Sequence, residues 1–365
     1  MSSLVKTVPV VREPLHVLGS GSIGLLWAST IRRAIPDYPV TLLLREHHRP
    51  NVSSNNNTIE VTLSRPAIND GSSSISSKVT VPVHVLSCCS SNDDAPSDAD
   101  NPPPPPCIIS NLIVSTKAYQ AAKAVASVEH LLDPNGCNLI LLCNGALAVR
   151  EELNHHHHHH HHNKKRRRLV LATTTHGAYQ KVNNSDEQNS SSYHVVHAGV
   201  GSTFVEDNVV GSLAELWNDV GLNCQSKSSN DMNIILWQKL AANCVINPLT
   251  ALYSCPNGQL LENPPSIFEK ILQEVSAVAQ ASSSIVEDRL SVEALSKFVH
   301  QVLVDTRNNQ SSMLQDIVHQ RPTEVDHLNG YIVQKAKSLG LSSTASAGAN
   351  QEMVQRIHEL QNEYL

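Results

Sequence analysis

The stretch that decides the fold is Leu15-His16-Val17-Leu18-Gly19-Ser20-Gly21-Ser22-Ile23-Gly24, which runs on into LLWASTIRRA, residues 25–34. LHVL reads as a short buried strand and LLWASTIRRA has helical spacing. Between them Gly19-x-Gly21-x-x-Gly24 matches a dinucleotide fingerprint. In such a motif Gly19 allows the tight turn, Gly21 lets the backbone approach a pyrophosphate, and Gly24 lets helix and strand pack closely. The N-terminus of the helix then offers free N–H groups and a favourable dipole to phosphates. A turn without a ligand is the alternative reading of the same glycines.

Working outward, a second apolar run spans Val40–Leu44, after the turn residues Pro36, Asp37 and Pro39. Further strands are expected over Val79–Val85, Cys107–Val114, Asn138–Cys143 and Leu169–Thr173, with a helix over Ala118–Leu132. Strands alternating with helices imply an α/β fold, a Rossmann-type doubly wound sheet. After about Asn230 the texture becomes helical, with stretches expected at 231–254, 265–285, 291–307, 310–319, 324–339 and 349–364. Two domains follow: 1–229, a dinucleotide-binding domain, and 230–365, an all-helical substrate and catalytic domain.

Low-complexity segments interrupt the first domain. They are the serine-rich Ser72–Ser77, the polar and proline-rich Cys88–Pro106, residues 154–168 with eight consecutive histidines before Lys-Lys-Arg-Arg-Arg, and the Asn- and Ser-rich 182–192. Each lacks apolar periodicity and is expected to be a surface loop. Adjacent histidines bind Ni²⁺ or Zn²⁺ in solution but give no fixed geometry or supporting shell, so no metal site is assigned.

Composition narrows the class. The formal charge of −6 gives no global basic field for nucleic acid. None of the eight cysteines forms a C-x-x-C pair, which suits a reducing compartment. The first residues, MSSLVKTVPVVREP, are too short and too weakly apolar for a signal peptide, and no run reaches the length of a membrane span. A cytoplasmic location is expected, with no membrane partner.

At the end of the second strand the chain reads Leu44-Arg45-Glu46. Arg45 suits a ribose 2′-phosphate and hence NADP(H), while Glu46 keeps NAD open. Lys117 and Asn144 each follow a strand, where open α/β sheets bind ligands; a surface lysine and an Asn-Gly turn are the plainer readings. The segment 236–250, LWQKLAANCVINPLT, places Lys239, Asn243 and Asn247 four residues apart. Two such steps drift only about 80° around a helix, so the three project from one side among buried apolar neighbours. A lysine and two amides so placed suit an anionic, oxygen-rich substrate, with Lys239 donating a proton to a carbonyl oxygen as hydride arrives. The exposed face of an amphipathic helix is the competing reading. Farther on, Pro322 interrupts a helix, Thr323 is expected to cap the next with Asp326 in the capping-box position, and Glu324 falls in its first turn. Glu324 there either orients substrate or balances the charge of Lys239, or is simply an acid favoured by the helix dipole.

Together these segments resemble the ketopantoate reductases (2-dehydropantoate 2-reductases). The matching text is LGSGSIG at 18–24, STKAYQ at 115–120, Asn144-Gly145, TTTHGA at 173–178, the helix around Lys239, Pro256-Asn257-Gly258, SSMLQDI at 311–317 and RPTEVD at 321–326. The resemblance implies a Rossmann domain joined to a helical domain, an active site in the cleft between them, and reduction of 2-dehydropantoate to (R)-pantoate with NADPH in pantothenate biosynthesis. It implies Lys239 as the catalytic lysine and Glu324 as the active-site glutamate. Asn144, Asn243, Asn247, Asn257 and Ser312 become substrate-binding positions. Gly19, Gly21, Ser22, Ile23, Gly24, Arg45, Lys117 and Asn144 become cofactor-binding positions. A monomer or a homodimer fits. A reductase of another 2-keto acid, or a silent dinucleotide sensor, is the alternative; the presence of both Lys239 and Glu324 argues against the sensor.

Overall fold

A computed structural model describes residues 13–45, 57–65, 75–86, 108–159, 167–181, 192–207, 211–282, 288–341 and 348–363. The chain forms two compact units. The first holds Met1–Thr116, Lys123–Leu142 and His160–Ser226; the second holds Lys117–Ala122, Cys143–His159 and Lys227–Leu365.

In chain order the elements begin β1 (Leu15–Leu18), α1 (Ser22–Ala34), β2 (Val40–Arg45), β3 (Thr58–Arg65), β4 (Ile75–Leu86), β5 (Asn111–Val114), α2 (Ala118–Ser127), β6 (Cys137–Leu141) and α3 (Ala146–His159). They continue with β7 (Arg167–Thr174), β8 (Gly177–Gln180), β9 (Ser192–Gly199), β10 (Thr203–Glu206), α4 (Gly211–Trp217) and β11 (Cys224–Lys227). The strands form one sheet in the order β11-β10-β7-β6-β5-β1-β2-β4-β3-β9-β8. Its centre, β7-β6-β5-β1-β2-β4, is parallel throughout. Read from β4, that is the 3-2-1-4-5-6 order of a doubly wound nucleotide-binding sheet, and the order in which strands are added reverses between β1 and β5. Every residue of β1 and β5 is buried, as expected for strands covered on both faces.

Several elements depart from the sequence expectations. β3 and β8–β11 were not foreseen. In β3 only Ile59, Val61 and Leu63 turn inward, and the polar residues between them dilute the apolar signal. The serine-rich tract is not wholly loop: Ile75–Ser77 open β4 and pair antiparallel with Leu63–Arg65. Pairing with a neighbouring strand overrides the low strand preference of serine. The tract 154–168 likewise begins inside α3, which runs to His159, and ends inside β7, which starts at Arg167. Most of the remaining low-complexity residues lie outside the described ones.

The interior of the first unit is aliphatic around two tryptophans, Trp27 and Trp217, set edge to face with centroids 6.2 Å apart. His176 packs edge-on against Trp27 (5.8 Å) and is fully committed to hydrogen bonds. The Gly201 N–H donates to its Nδ1 (3.1 Å), so that nitrogen is an acceptor and the proton sits on Nε2, which donates to the Leu222 carbonyl (3.0 Å). His197 Nε2, 2.9 Å from the same Nδ1, must then be a donor.

The second unit is built on α5 (Ser229–Tyr253), followed by α6 (Gln259–Glu262), α7 (Ile267–Ser282), α8 (Val292–Asp305), α9 (Ser312–Val318), α10 (Asn329–Ser338) and α11 (Gly348–Asn362). The Ser228 hydroxyl caps α5 by accepting from Asp231 N–H. α5 packs against α7, α8, α9 and α11 and is buried along most of its length, so it serves as the central helix. Among the described residues no helix is long and apolar enough to cross a membrane.

Burial holds His16 and His197 down at about 4, and in both cases a nearby histidine adds to the effect. Unfolded histidine titrates near 6.5. Above that pH neither state binds the proton; between 6.5 and 4 only the unfolded chain does, so stability falls as pH falls. The melting temperature should be flat above pH 7 and drop by roughly 5 °C by pH 5. His197→Gln should flatten that slope, and an unchanged slope in the variant would show that these histidines do not set it.

Candidate active site

The glycines of the first unit answer to different demands. Gly19 has φ +120°, and a Cβ there would press on the Thr116 nitrogen at 3.0 Å. A Cβ on Gly24 would collide with the Gly19 carbonyl and the Ser115 hydroxyl. Both are therefore required by the fold. Gly21 is different: its nearest neighbour would be the Ser115 carbonyl at 3.9 Å, an ordinary contact. It is exposed and caps α1, with no side-chain cap and no acidic residue in the first turn. The open space over Gly21 and the helix start at Ser22 and Ile23 form a cradle that a pyrophosphate fits. The turn itself is braced, since Gln180 Nε2 donates to the Ser20 carbonyl (2.6 Å) and Ser115 Oγ to the Leu18 carbonyl (3.1 Å). Arg45 is the last residue of β2, half-buried, in register with Leu86 of β4. Glu46 lies outside the described residues.

In the second unit the chemistry gathers around Glu324, which is 5% exposed. Its Oε1 accepts from the Ala118 N–H (2.8 Å) at the start of α2, and its Oε2 from Asn144 Nδ2 (3.2 Å). The Lys117 ammonium is 3.7 Å from Oε2 and 2.5 Å from Oδ2 of Asp316. Asp316, also buried, takes Arg321 Nε on its other oxygen (3.0 Å). Lys117, expected beside the cofactor, is thus engaged by two buried carboxylates. Burial alone would lower its pKa, but Glu324 and Asp316 outweigh that and raise it above the usual lysine range.

Lys239 behaves oppositely. Half-buried on α5, it loses solvation for its ammonium, which pulls its pKa down to about 8, against the attraction of Glu324. Cys143 lies within electrostatic reach of both Lys239 and Glu324, and burial pushes its thiol up to about 12. Gly145, which follows Asn144, has φ +64°, and a Cβ there would come within 2.9 Å of the His327 carbonyl. Only glycine lets the Asn144 loop lie this close to the turn that carries Glu324.

Glu324 does not sit in a regular helix start. It precedes a 3-10 turn, Val325–His327, and α10 begins only at Asn329. The expected cap is absent: the Thr323 hydroxyl donates to Gln361 Oε1 (2.8 Å). The helix-dipole reading of Glu324 therefore gives way to that of a buried carboxylate held by named donors.

Asn243 is half-buried and Asn247 buried on α5. Ser312 is the exposed first residue of α9. Its neighbour Ser311 caps that helix, accepting from Leu314 N–H (3.1 Å), and shares a 2.7 Å hydrogen bond with the Thr250 hydroxyl of α5. Asn257 sits in the turn after α5, away from these contacts. It donates to Thr306 Oγ1 (2.9 Å), and its buried Oδ1 has no partner among the described residues. Sequence reasoning missed Asp316; an acid within the apolar Met313–Ile317 was the available signal. No group of three or more His, Cys, Asp or Glu suited to a metal occurs among the described residues.

Comparison with known proteins identifies the family. The family model described as ketopantoate reductase PanE/ApbA matches residues 15–208, and its C-terminal counterpart matches 231–361. A 2-dehydropantoate 2-reductase of Yersinia pestis is 31% identical over 65% of this chain and 70% of its own length. One of Vibrio cholerae is 40% identical over 44% of this chain and 54% of its own. Among solved structures, a PanE/ApbA family ketopantoate reductase from Ralstonia eutropha JMP134 superposes with a TM-score of 0.72 at 19% identity, over 96% of this chain and 99% of the other. A D-mandelate dehydrogenase solved with NADH and anilino(oxo)acetate gives 0.68 at 17%, over 96% and 99%. Sequence motif, sheet order and family model converge, and the chain belongs to the ketopantoate reductase family.

Proposed function

We propose that this protein is a 2-dehydropantoate 2-reductase that uses NADPH to form (R)-pantoate, a step of pantothenate biosynthesis. The observation that carries the reading is a pair of lysines tuned in opposite directions near one buried carboxylate. Lys117 is raised and stays a fixed cation, while Lys239 is lowered to about 8, where an ammonium gives up a proton readily near neutral pH. A silent sensor has no use for that difference.

NADPH, when bound, supplies the hydride for the keto carbon. Lys239 gives its Nζ proton to the substrate's carbonyl oxygen, completing the alcohol. Glu324 favours the charged form of Lys239 and, by accepting from Asn144, sets the direction of that amide. The amides of Asn243 and Asn247, carried on one helix, suit the hydroxyl and carboxylate oxygens of the substrate, with Ser312 and Asn257 as further substrate contacts. Gly19, Gly21, Ser22, Ile23 and Gly24 would hold the pyrophosphate, Arg45 the 2′-phosphate and Asn144 the nicotinamide end, with Lys117 as a further cofactor contact. Cofactor binding is thereby assigned to residues 1–229 and substrate chemistry to 230–365, with Lys117 and Asn144 supplied by the first stretch. The protein is expected to act in the cytoplasm as a monomer or homodimer.

A general acid must be protonated to act, so kcat/KM with 2-dehydropantoate should be level below about pH 8 and fall about tenfold per unit above it. Lys239→Ala should remove that limb and lower kcat about 10²–10⁴-fold while NADPH still binds. Near-normal turnover in this variant would end the assignment of Lys239.

The cofactor reading makes a separate claim. Gly21→Ala should keep the wild-type melting temperature and lose NADPH affinity, whereas Gly24→Ala should destabilise the fold. Arg45→Ala should weaken NADPH more than NADH. Equal losses for both cofactors would mean that the 2′-phosphate is not read at Arg45.

A further inference from the structure

α5 contains a proline, Pro248, directly after Asn247. Proline has no N–H, so the carbonyl four residues back, that of Cys244, loses its helical partner. Proline also disfavours helical backbone in the residue before it, which here is Asn247. The defect therefore falls between Asn243 and Asn247, the two amides assigned to substrate. Cys244 is buried, so water does not repair it.

A chain of buried groups supplies the missing donor. Glu274 of α7 is 9% exposed and accepts three hydrogen bonds: from the backbone N–H of Ala349 (2.8 Å) and of Asn350 (2.9 Å), and from Asn350 Nδ2 (2.7 Å). A carboxylate that accepts from Asn350 Nδ2 fixes which way that amide points, leaving Asn350 Oδ1 as an acceptor. Asn329, fully buried at the start of α10, must then present its NH₂ group, and it donates to Asn350 Oδ1 (3.0 Å) and to the Cys244 carbonyl (2.9 Å). The Asn329 Oδ1 is itself buried without a partner among the described residues. The side chain is thus in place for what it donates.

We propose that Asn329 is a positioning residue for substrate: by donating to the Cys244 carbonyl it replaces the N–H that Pro248 lacks and sets the angle between the amides of Asn243 and Asn247. The inference rests on the assignment of Asn243 and Asn247 to substrate.

The test is a rescue. Asn329→Ala should raise KM for 2-dehydropantoate about tenfold or more, with the NADPH Kd changed by less than about twofold. Adding Pro248→Ala restores a backbone N–H at 248, which bonds the Cys244 carbonyl from within the helix. The double variant should therefore return KM to within about threefold of wild type, although the bond to Asn350 stays lost in both. If Asn329→Ala does not fold, a folded double variant with near-wild-type KM supports the proposal equally. An unchanged KM in Asn329→Ala, a raised KM that Pro248→Ala does not rescue, or failure of both variants to fold would overturn it. Failure of the underlying reading looks different: the wild-type protein itself would not oxidise NADPH with 2-dehydropantoate or any other 2-oxo acid, and the role of Asn329 would fall with it.

Discussion

The second unit is organised around the need to satisfy a carboxylate taken out of water. Removing an ionised group from solvent costs several kcal/mol unless donors and counter-charges replace its hydration. For Glu324 those replacements come from remote parts of the chain: the Ala118 N–H, the Asn144 amide and the Lys117 ammonium. Asp316 repeats the pattern with Lys117 and Arg321. Two short segments that follow sheet strands, Lys117–Ala122 and Cys143–His159, belong to the helical unit. Each brings a donor to Glu324. The electrostatic demand and the folding of these segments are one problem with one solution.

That solution also creates chemical asymmetry. Lys117 sits against two carboxylates and is held charged. Lys239 feels mainly the loss of water, which Glu324 only partly offsets. Identical side chains acquire different proton affinities through burial and neighbours alone. The helix bearing Lys239 solves a related difficulty. It carries polar groups along a buried axis, and its defect at Pro248 is closed from outside by Asn329, while the Ser311–Thr250 hydrogen bond ties α9, and with it Ser312, to the same helix.

Much of this was legible in the sequence, where the cause is local. The Gly19–Gly24 motif follows a strand and opens a helix, and the parallel core that it implies is present. Lys239, Asn243 and Asn247 share one helix because their spacing follows helical geometry. What could not be read depends on distance in the chain or on pairing. Lys117 and Asp316 are far apart in sequence, and nothing near Lys117 announces its partner. β3 has few apolar residues, and Ile75–Ser77 become strand only because Leu63–Arg65 lie alongside. Thr323 carries the signature of a cap yet bonds Gln361 instead, because α11 competes for its hydroxyl. Of the three motif glycines, Gly19 and Gly24 are fold requirements, whereas a Cβ on Gly21 would meet only an ordinary contact, a distinction the motif alone does not make.

The proposed chemistry requires of Lys239 that burial loosen its proton. The most direct measurement is the titration of its side chain by NMR, with isotope-labelled lysine and assignment by Lys239→Arg. The account predicts a midpoint near 8 for Lys239, well below that of the exposed lysines. A midpoint in the ordinary lysine range, near 10.4, would contradict it.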